Sequence, residues 1–129
     1  MSDASMAALA GLFKSRMQEN DAESLRQYAE NLHPADIAET FPFLEPDEKL
    51  QLVRALGSDL GADVLTLVND RSLEELLDRL GSSELAEMVQ ELPADDAADL
   101  LGEMEESKAD AVLKQVDEEA HEEVTQLLE

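Results

Sequence analysis

An apolar residue occupies every twelfth position of this chain from residue 32 onward. The residues eight and nine positions after each of them are also apolar, with Thr40 and Thr125 as the exceptions. Spacings of one, three and four residues fall on one face of an α-helix, so each twelve-residue unit predicts one short helix with a buried face. The residues that define the period are Leu32, Leu44, Leu56, Val68, Leu80, Leu92, Met104, Val116 and Leu128.

Each unit opens with residues that end one helix and start another. His33 and Pro34 open the first unit, and Gly81 with Ser82 opens a later one. Glycine ends helices, serine and aspartate cap them, and proline suits their first turn. Helices of about two turns are unstable alone and must bury a face on their neighbours, which favours stacked antiparallel pairs. We therefore predict an all-α fold, an α-solenoid of about 9–10 short helices with no strands.

The residues before the first unit continue the helical pattern. Residues 21–32 repeat the spacing, and Met6, Leu9, Phe13 and Met17 predict a longer first helix. At 129 residues the chain is long enough to bury a real core. We predict an N-terminal helix over residues 1–19 and the repeats over residues 20–129, together forming a single structural domain.

Acidic residues dominate the charge. Against 32 Asp and Glu stand 9 Lys and Arg, a formal net charge of −23. Nucleic-acid phosphates need a basic surface, so nucleic acid is excluded as a partner, and the same field repels anionic lipid. We expect cationic partners. Cysteine is absent, which excludes thiolate metal sites, and the apolar run at residues 6–13 is too short to insert into a bilayer.

The acids follow the twelve-residue frame. Seven positions after the first eight members of the period, six of eight residues are acidic. Three of these acids have another acid four residues earlier, three positions after the same member of the period. The resulting like-charge pairs are Asp59/Asp63, Asp95/Asp99 and Glu119/Glu123. One interpretation is a solvated acidic surface with first-turn acids that complement the helix dipole. The other is that a cation relieves the repulsion, and carboxylate oxygens then favour Mg²⁺ or Ca²⁺.

The sequence contains no recognisable arrangement of catalytic residues. His33 and His121 lack a second His or a Cys at ligand spacing, and we expect His33 to pack or hydrogen-bond at the turn before Pro34. Paired carboxylates can hydrolyse glycosides, but the region of Asp95 and Asp99 has no aromatic residue that could stack on a sugar. We do not expect an enzyme.

Several segments resemble a known family. LHPADIAETFPFLEPDEKLQLVRAL (32–56), GADVLTLV (61–68) and LPADDAADLLGEM (92–104) resemble the N-terminal cytosolic domain of MgtE-type magnesium channels. The resemblance covers about residues 20–129, and its most specific element is the Leu-His-Pro-x-Asp opening. The flagellar motor switch protein FliG has related helical repeats, so a protein-interaction scaffold without metal sensing is the alternative.

The resemblance implies a right-handed superhelix, followed in the family by a pair of CBS domains and a membrane pore that work as a homodimer. Mg²⁺ bound between the N-terminal and CBS domains favours the closed pore. When this sequence is matched to the family residue by residue, the acids at its metal-facing positions are Asp95, Asp99 and Asp63. The chain would then lie on the cytoplasmic side of the cell membrane, as part of an integral membrane protein. It stops about where the first CBS domain is expected, which suggests an excised regulatory domain; a stand-alone protein is the other possibility.

Overall fold

Helices account for the regular structure of the part of the chain that our computed structural model describes, residues 3–116 and Leu127. Eight α-helices and one 3₁₀ turn, Phe41–Phe43, occur there, without a strand. The helices are α1 Asp3–Gln18, α2 Ala22–Ala29, α3 Pro34–Glu39, α4 Pro46–Leu65, α5 Asp70–Arg79, α6 Ser82–Glu91, α7 Ala94–Gly102 and α8 Glu106–Leu113.

The longest helix contains two repeat units. Helix α4 has helical geometry throughout except at Gly57, where φ is +83° and ψ is 173°. Residues other than glycine avoid this conformation because their Cβ atom clashes with the backbone. Gly57 therefore divides α4 into two short helices that follow each other without a loop, at the boundary that the sequence period predicts.

Side chains cap two of the helices at predicted unit openings, through His33 and Asn69 rather than through serine or aspartate. His33 precedes α3 in an extended conformation, and its Nδ1 accepts a hydrogen bond from the backbone N–H of Ala35 at 3.2 Å. The predicted role of His33 at the turn before Pro34 is confirmed. Asn69 acts similarly before α5, where its side-chain oxygen accepts from the Ser72 N–H at 3.2 Å. Each cap satisfies a backbone donor that the first helical turn leaves free.

Burial follows the twelve-residue frame. At eight positions after each member of the period, every described residue is buried. These residues are Thr40, Leu52, Val64, Leu76, Met88, Leu100 and Val112. Val124, at the corresponding position of the last unit, and Leu128 lie outside the described residues. The core is thus built from one face of each short helix, as the period predicts.

The chain divides into two compact units between Arg79 and Leu80. In the first unit α4 is the central helix, and α1, α2, α3 and α5 all pack against it. In the second unit α6 packs against α7 and α8. The assignment of the whole chain to a single structural domain, with its boundary at residues 19 and 20, stays a prediction.

Candidate functional site

Helix α7 presents one apolar and one acidic face. It follows Pro93, and its buried residues are Ala97, Ala98, Leu100 and Leu101. Asp95, Asp96 and Asp99 are exposed on the other side. The small alanine side chains let the helix lie close to its neighbours, while the aspartates stay in water. The repeat frame therefore fixes both which side of α7 is buried and which side can bind a solute.

Asp95 and Asp99 lie one helical turn apart on this acidic face. Residues four apart have their Cβ atoms about 5–6 Å from each other, and a like-charge pair at this spacing costs about 0.2–0.5 kcal/mol. One oxygen of Asp95 accepts a hydrogen bond from the Asp96 N–H at 3.0 Å. Within residues 3–116, no lysine or arginine forms an ion pair with the carboxylate of Asp95 or of Asp99. Their repulsion is left without a local counter-charge.

The sequence around α7 strengthens the negative field. From Leu80 to Glu129 there are sixteen acidic and two basic residues, a net charge of −14. One of the two bases is already engaged, because the Lys108 ammonium donates a hydrogen bond to the backbone oxygen of Leu80 at 2.6 Å. Such a field raises the local concentration of cations.

Asp63, the third predicted metal ligand, lies on α4 in the first unit and is exposed. Its neighbour Asp59 has a base beside it, since an Arg26 nitrogen lies 3.4 Å from a carboxylate oxygen of Asp59. The backbone N–H of Leu60, and after it the charge of Arg26, lower the pKa of Asp59 below its ordinary value of 3.8. The two described like-charge pairs therefore differ: Asp59/Asp63 is partly compensated and Asp95/Asp99 is not. The third pair, Glu119/Glu123, lies outside the described residues.

Glu75, one of the acids seven positions after a member of the period, turns inward. The Glu75 side chain is only 17% exposed, and one of its oxygens lies 3.1 Å from the ammonium of Lys49. Lys49 is buried, although lysine is among the residues least often found in protein interiors. Arg71 contacts the same Glu75 oxygen at 3.4 Å. Sequence analysis missed Lys49, whose only signal is a charge beside apolar neighbours in the middle of a helical unit.

The carboxylates of α7 can supply part of a cation site. Within residues 3–116 and 127, no group of three or more His, Asp or Glu side chains is arranged to hold a metal ion. Two exposed carboxylates one turn apart nevertheless suit Mg²⁺, which keeps several water ligands and often takes only one or two carboxylates from a protein. Completing the site would require donors from another surface.

Membrane-spanning segments are not found in the described part of the chain. None of its helices combines the length and the apolar character that crossing a bilayer requires.

Comparisons with known proteins agree with one another. A family described as the MgtE intracellular N domain matches residues 32–129. A crystal structure of the soluble part of a magnesium transporter has a similar fold, with a TM-score of 0.83 and 21% sequence identity over 95% of this chain. This chain spans about half, 49%, of that protein chain. No curated protein sequence matches. The predicted all-α fold class is confirmed.

Proposed function

The chain belongs to the MgtE intracellular N domain family, and we propose that it is the Mg²⁺-sensing regulatory domain of an MgtE-type magnesium channel. The observation that carries this proposal is the uncompensated pair Asp95/Asp99 on the exposed face of α7. A cation that bridges this pair to an opposing surface would remove a repulsion that the isolated domain retains.

The proposed mechanism is a linkage between cation binding and domain association. When Mg²⁺ is scarce, the carboxylates on α7 repel an acidic partner surface, and the domain separates from it. When Mg²⁺ is abundant, Asp95 and Asp99 bind the ion through one or two oxygens and its remaining water ligands. Because the complete site exists only in the associated state, Mg²⁺ shifts the equilibrium toward that state. We also propose Asp63 of α4, in the first unit, as a metal-facing acid of this domain.

The proposed partners are the rest of the same polypeptide. We infer that the surface opposite α7 belongs to a pair of CBS domains, that a transmembrane pore follows, and that the full-length protein is a homodimer. The domain would then lie on the cytoplasmic side of the membrane and would regulate transport without catalysing a reaction. Two facts support this arrangement: the similar crystal structure is described as the soluble part of a magnesium transporter, and this chain spans about half of it.

Mg²⁺ titration of a protein that joins this chain to its CBS domains tests the proposal. Protease digestion is followed at rising Mg²⁺ for the wild type and for the double variant Asp95→Asn/Asp99→Asn. We expect Mg²⁺ to protect the wild type, and the double variant to need at least about tenfold more Mg²⁺, which corresponds to the loss of about 1.4 kcal/mol of coupling free energy.

Asp96→Asn is the matched control, because Asp96 is an exposed acid on the same helix and lies one residue off the face of Asp95 and Asp99. It removes one negative charge and should leave the midpoint of protection within about twofold of wild type. Equal protection of all three proteins would contradict the assignment of Asp95 and Asp99. If the longer sequence carried further helical repeats in place of CBS domains, an interaction scaffold of the motor-switch type would be the correct description.

A further inference from the structure

An apolar groove lies in the first compact unit, outside the acidic face of α7. Its lining residues are Met6 of α1, Ala38 and Glu39 of α3, Pro42 and Phe43 of the 3₁₀ turn, and Leu67 and Asn69 after α4. The groove has a volume of about 510 Å³. This is enough space for one or two large side chains, and most of the lining side chains are apolar.

Two of the lining residues have large apolar side chains that are unusually exposed to solvent. Phe43 is 37% exposed and Leu67 is 50% exposed, which places both among the largest exposed apolar side chains in the described part of the chain. Both stand eleven positions after a member of the twelve-residue period. The other units carry the exposed residues Arg79, Glu91, Glu103 and Gln115 at this position, together with the half-buried Ala55 and the exposed Leu127. Core packing therefore does not require an apolar residue there, and Phe43 and Leu67 leave apolar surface exposed where they border the same groove.

The groove also has an acidic lining residue. Glu39 is exposed, and no lysine or arginine within residues 3–116 forms an ion pair with it. The first unit has sixteen acidic and seven basic residues over positions 1–79. Four of these bases already pair with acids, namely Lys14, Arg26, Lys49 and Arg71. An occupant of this groove must combine apolar bulk with positive charge.

We propose that the groove docks a basic amphipathic segment of a partner protein, which inserts a large apolar side chain between Phe43 and Leu67 and places a lysine or arginine against Glu39. Apolar anchors in a preformed pocket carry most of the binding free energy of such contacts, and the charge at the rim selects the partner. The proposal is independent of Mg²⁺ sensing by α7.

Charge argues against the other occupants. A second copy of this chain would bring another net charge of −23 to an acidic rim. Residues 117–129 contain six acids and no lysine or arginine, so this segment of the chain would be repelled by Glu39 in the same way. An anionic bilayer is excluded for the same reason.

Binding of a synthetic probe to the full 129-residue chain tests the proposal. The probe is an amphipathic helix of leucine and lysine, about 14 residues long, and the comparison peptide replaces every lysine with glutamate. Titrations are followed by NMR at about 0.15 M salt, where weak long-range attraction between exposed charges is screened. We expect the lysine peptide to shift the resonances of Met6, Phe43 and Leu67 before those of the acidic residues on α6 to α8.

Two pairs of variants separate docking in the groove from general attraction to an acidic protein. Leu67→Gln should weaken binding at least about fivefold, while Leu12→Gln, a change at a similarly exposed leucine (45%) outside the groove, should alter it less than about twofold. Glu39→Gln should weaken binding about two- to threefold, and Glu87→Gln, an exposed acid on α6, should have no such effect.

The proposal fails if the four variants bind the lysine peptide equally, because attraction would then be purely electrostatic. It also fails if the glutamate peptide binds as tightly as the lysine peptide. A concentration-dependent dimer that Leu67→Gln abolishes would make a second copy the occupant, and competition by zwitterionic phosphatidylcholine vesicles would make a membrane surface the occupant. Either result overturns the proposed partner.

Discussion

The guanidinium group of Arg26 donates a hydrogen bond to the backbone carbonyl oxygen of Leu56, a residue thirty positions further along the chain. Leu56 is the last residue before the break at Gly57, where the first half of α4 leaves carbonyl oxygens without helical partners. The same guanidinium pairs with Asp59, at the beginning of the second half. Arg26 of α2 thereby stabilises the junction between two repeat units that have no loop between them.

Gly57→Ala should destabilise the fold. A Cβ atom at Gly57 would clash with a guanidinium nitrogen of Arg26, and the φ of +83° is strained for any residue with a side chain. We expect a loss of about 2–3 kcal/mol in the free energy of unfolding, measured by urea denaturation. Gly11→Ala is the control, since a Cβ there meets nothing within 4 Å in the interior of α1. It should be neutral or stabilising by up to about 1 kcal/mol, and a similar loss in both variants would contradict the role of Gly57.

Glu75→Gln should be more harmful than any change at an exposed ion pair. It leaves the buried ammonium of Lys49 without its carboxylate, 3.1 Å away in the wild type, and we expect a loss of about 3 kcal/mol. Lys49→Met combined with Glu75→Leu removes both charges and should recover stability to within about 1 kcal/mol of wild type. Lys14→Met, in the more exposed pair with Glu48, should cost less than about 1 kcal/mol. If the double variant were as unstable as Glu75→Gln, packing and not charge would explain the effect.

Asp59 should contribute a pH-dependent stabilisation that is lost in acid. The Leu60 N–H and the charge of Arg26 hold the pKa of Asp59 in the folded protein below 3.8. A carboxylate with a lowered pKa stabilises the folded state above its unfolded-state pKa, and this contribution disappears as the pH falls through the folded-state pKa. The difference in unfolding free energy between wild type and Asp59→Asn should therefore be constant from about pH 7 to 5 and shrink below about pH 4. A difference that stays constant down to pH 2 would exclude this linkage.

Added salt should raise the melting temperature. Folding concentrates a net charge of −23 into two compact units, and the second unit alone carries sixteen acids against two bases. Screening by about 0.5 M NaCl weakens this repulsion, and we expect an increase of several degrees, measured by circular dichroism. Choline chloride at equal ionic strength is the control. It should raise the melting temperature by a similar amount, because screening does not depend on the chemical nature of the cation. A flat response would indicate that the acids are already compensated locally.

Much of the fold was predictable because burial in a repeat protein follows the sequence period. The apolar positions of each unit predicted most of the buried residues of α4 to α8, although not Lys49 or Ser72, and His33 was placed correctly at the turn before α3. The resemblance to MgtE proteins, drawn from the Leu-His-Pro opening and the α7 segment, is confirmed by the match to the family over residues 32–129. The assignment of Asp95, Asp99 and Asp63 to a metal site stays a prediction.

The sequence by itself determined the helical class, the unit boundaries and the face of each helix that is buried, because these depend on spacings of a few residues along one chain. Only the tertiary structure decided that Arg26 reaches Leu56, that Lys49 neutralises Glu75 in the interior, and that Phe43 and Leu67 border the same groove. These contacts join residues 24 to 30 positions apart. A period shows which side of a helix faces its neighbours, whereas the packing of the helices decides which side chains meet there.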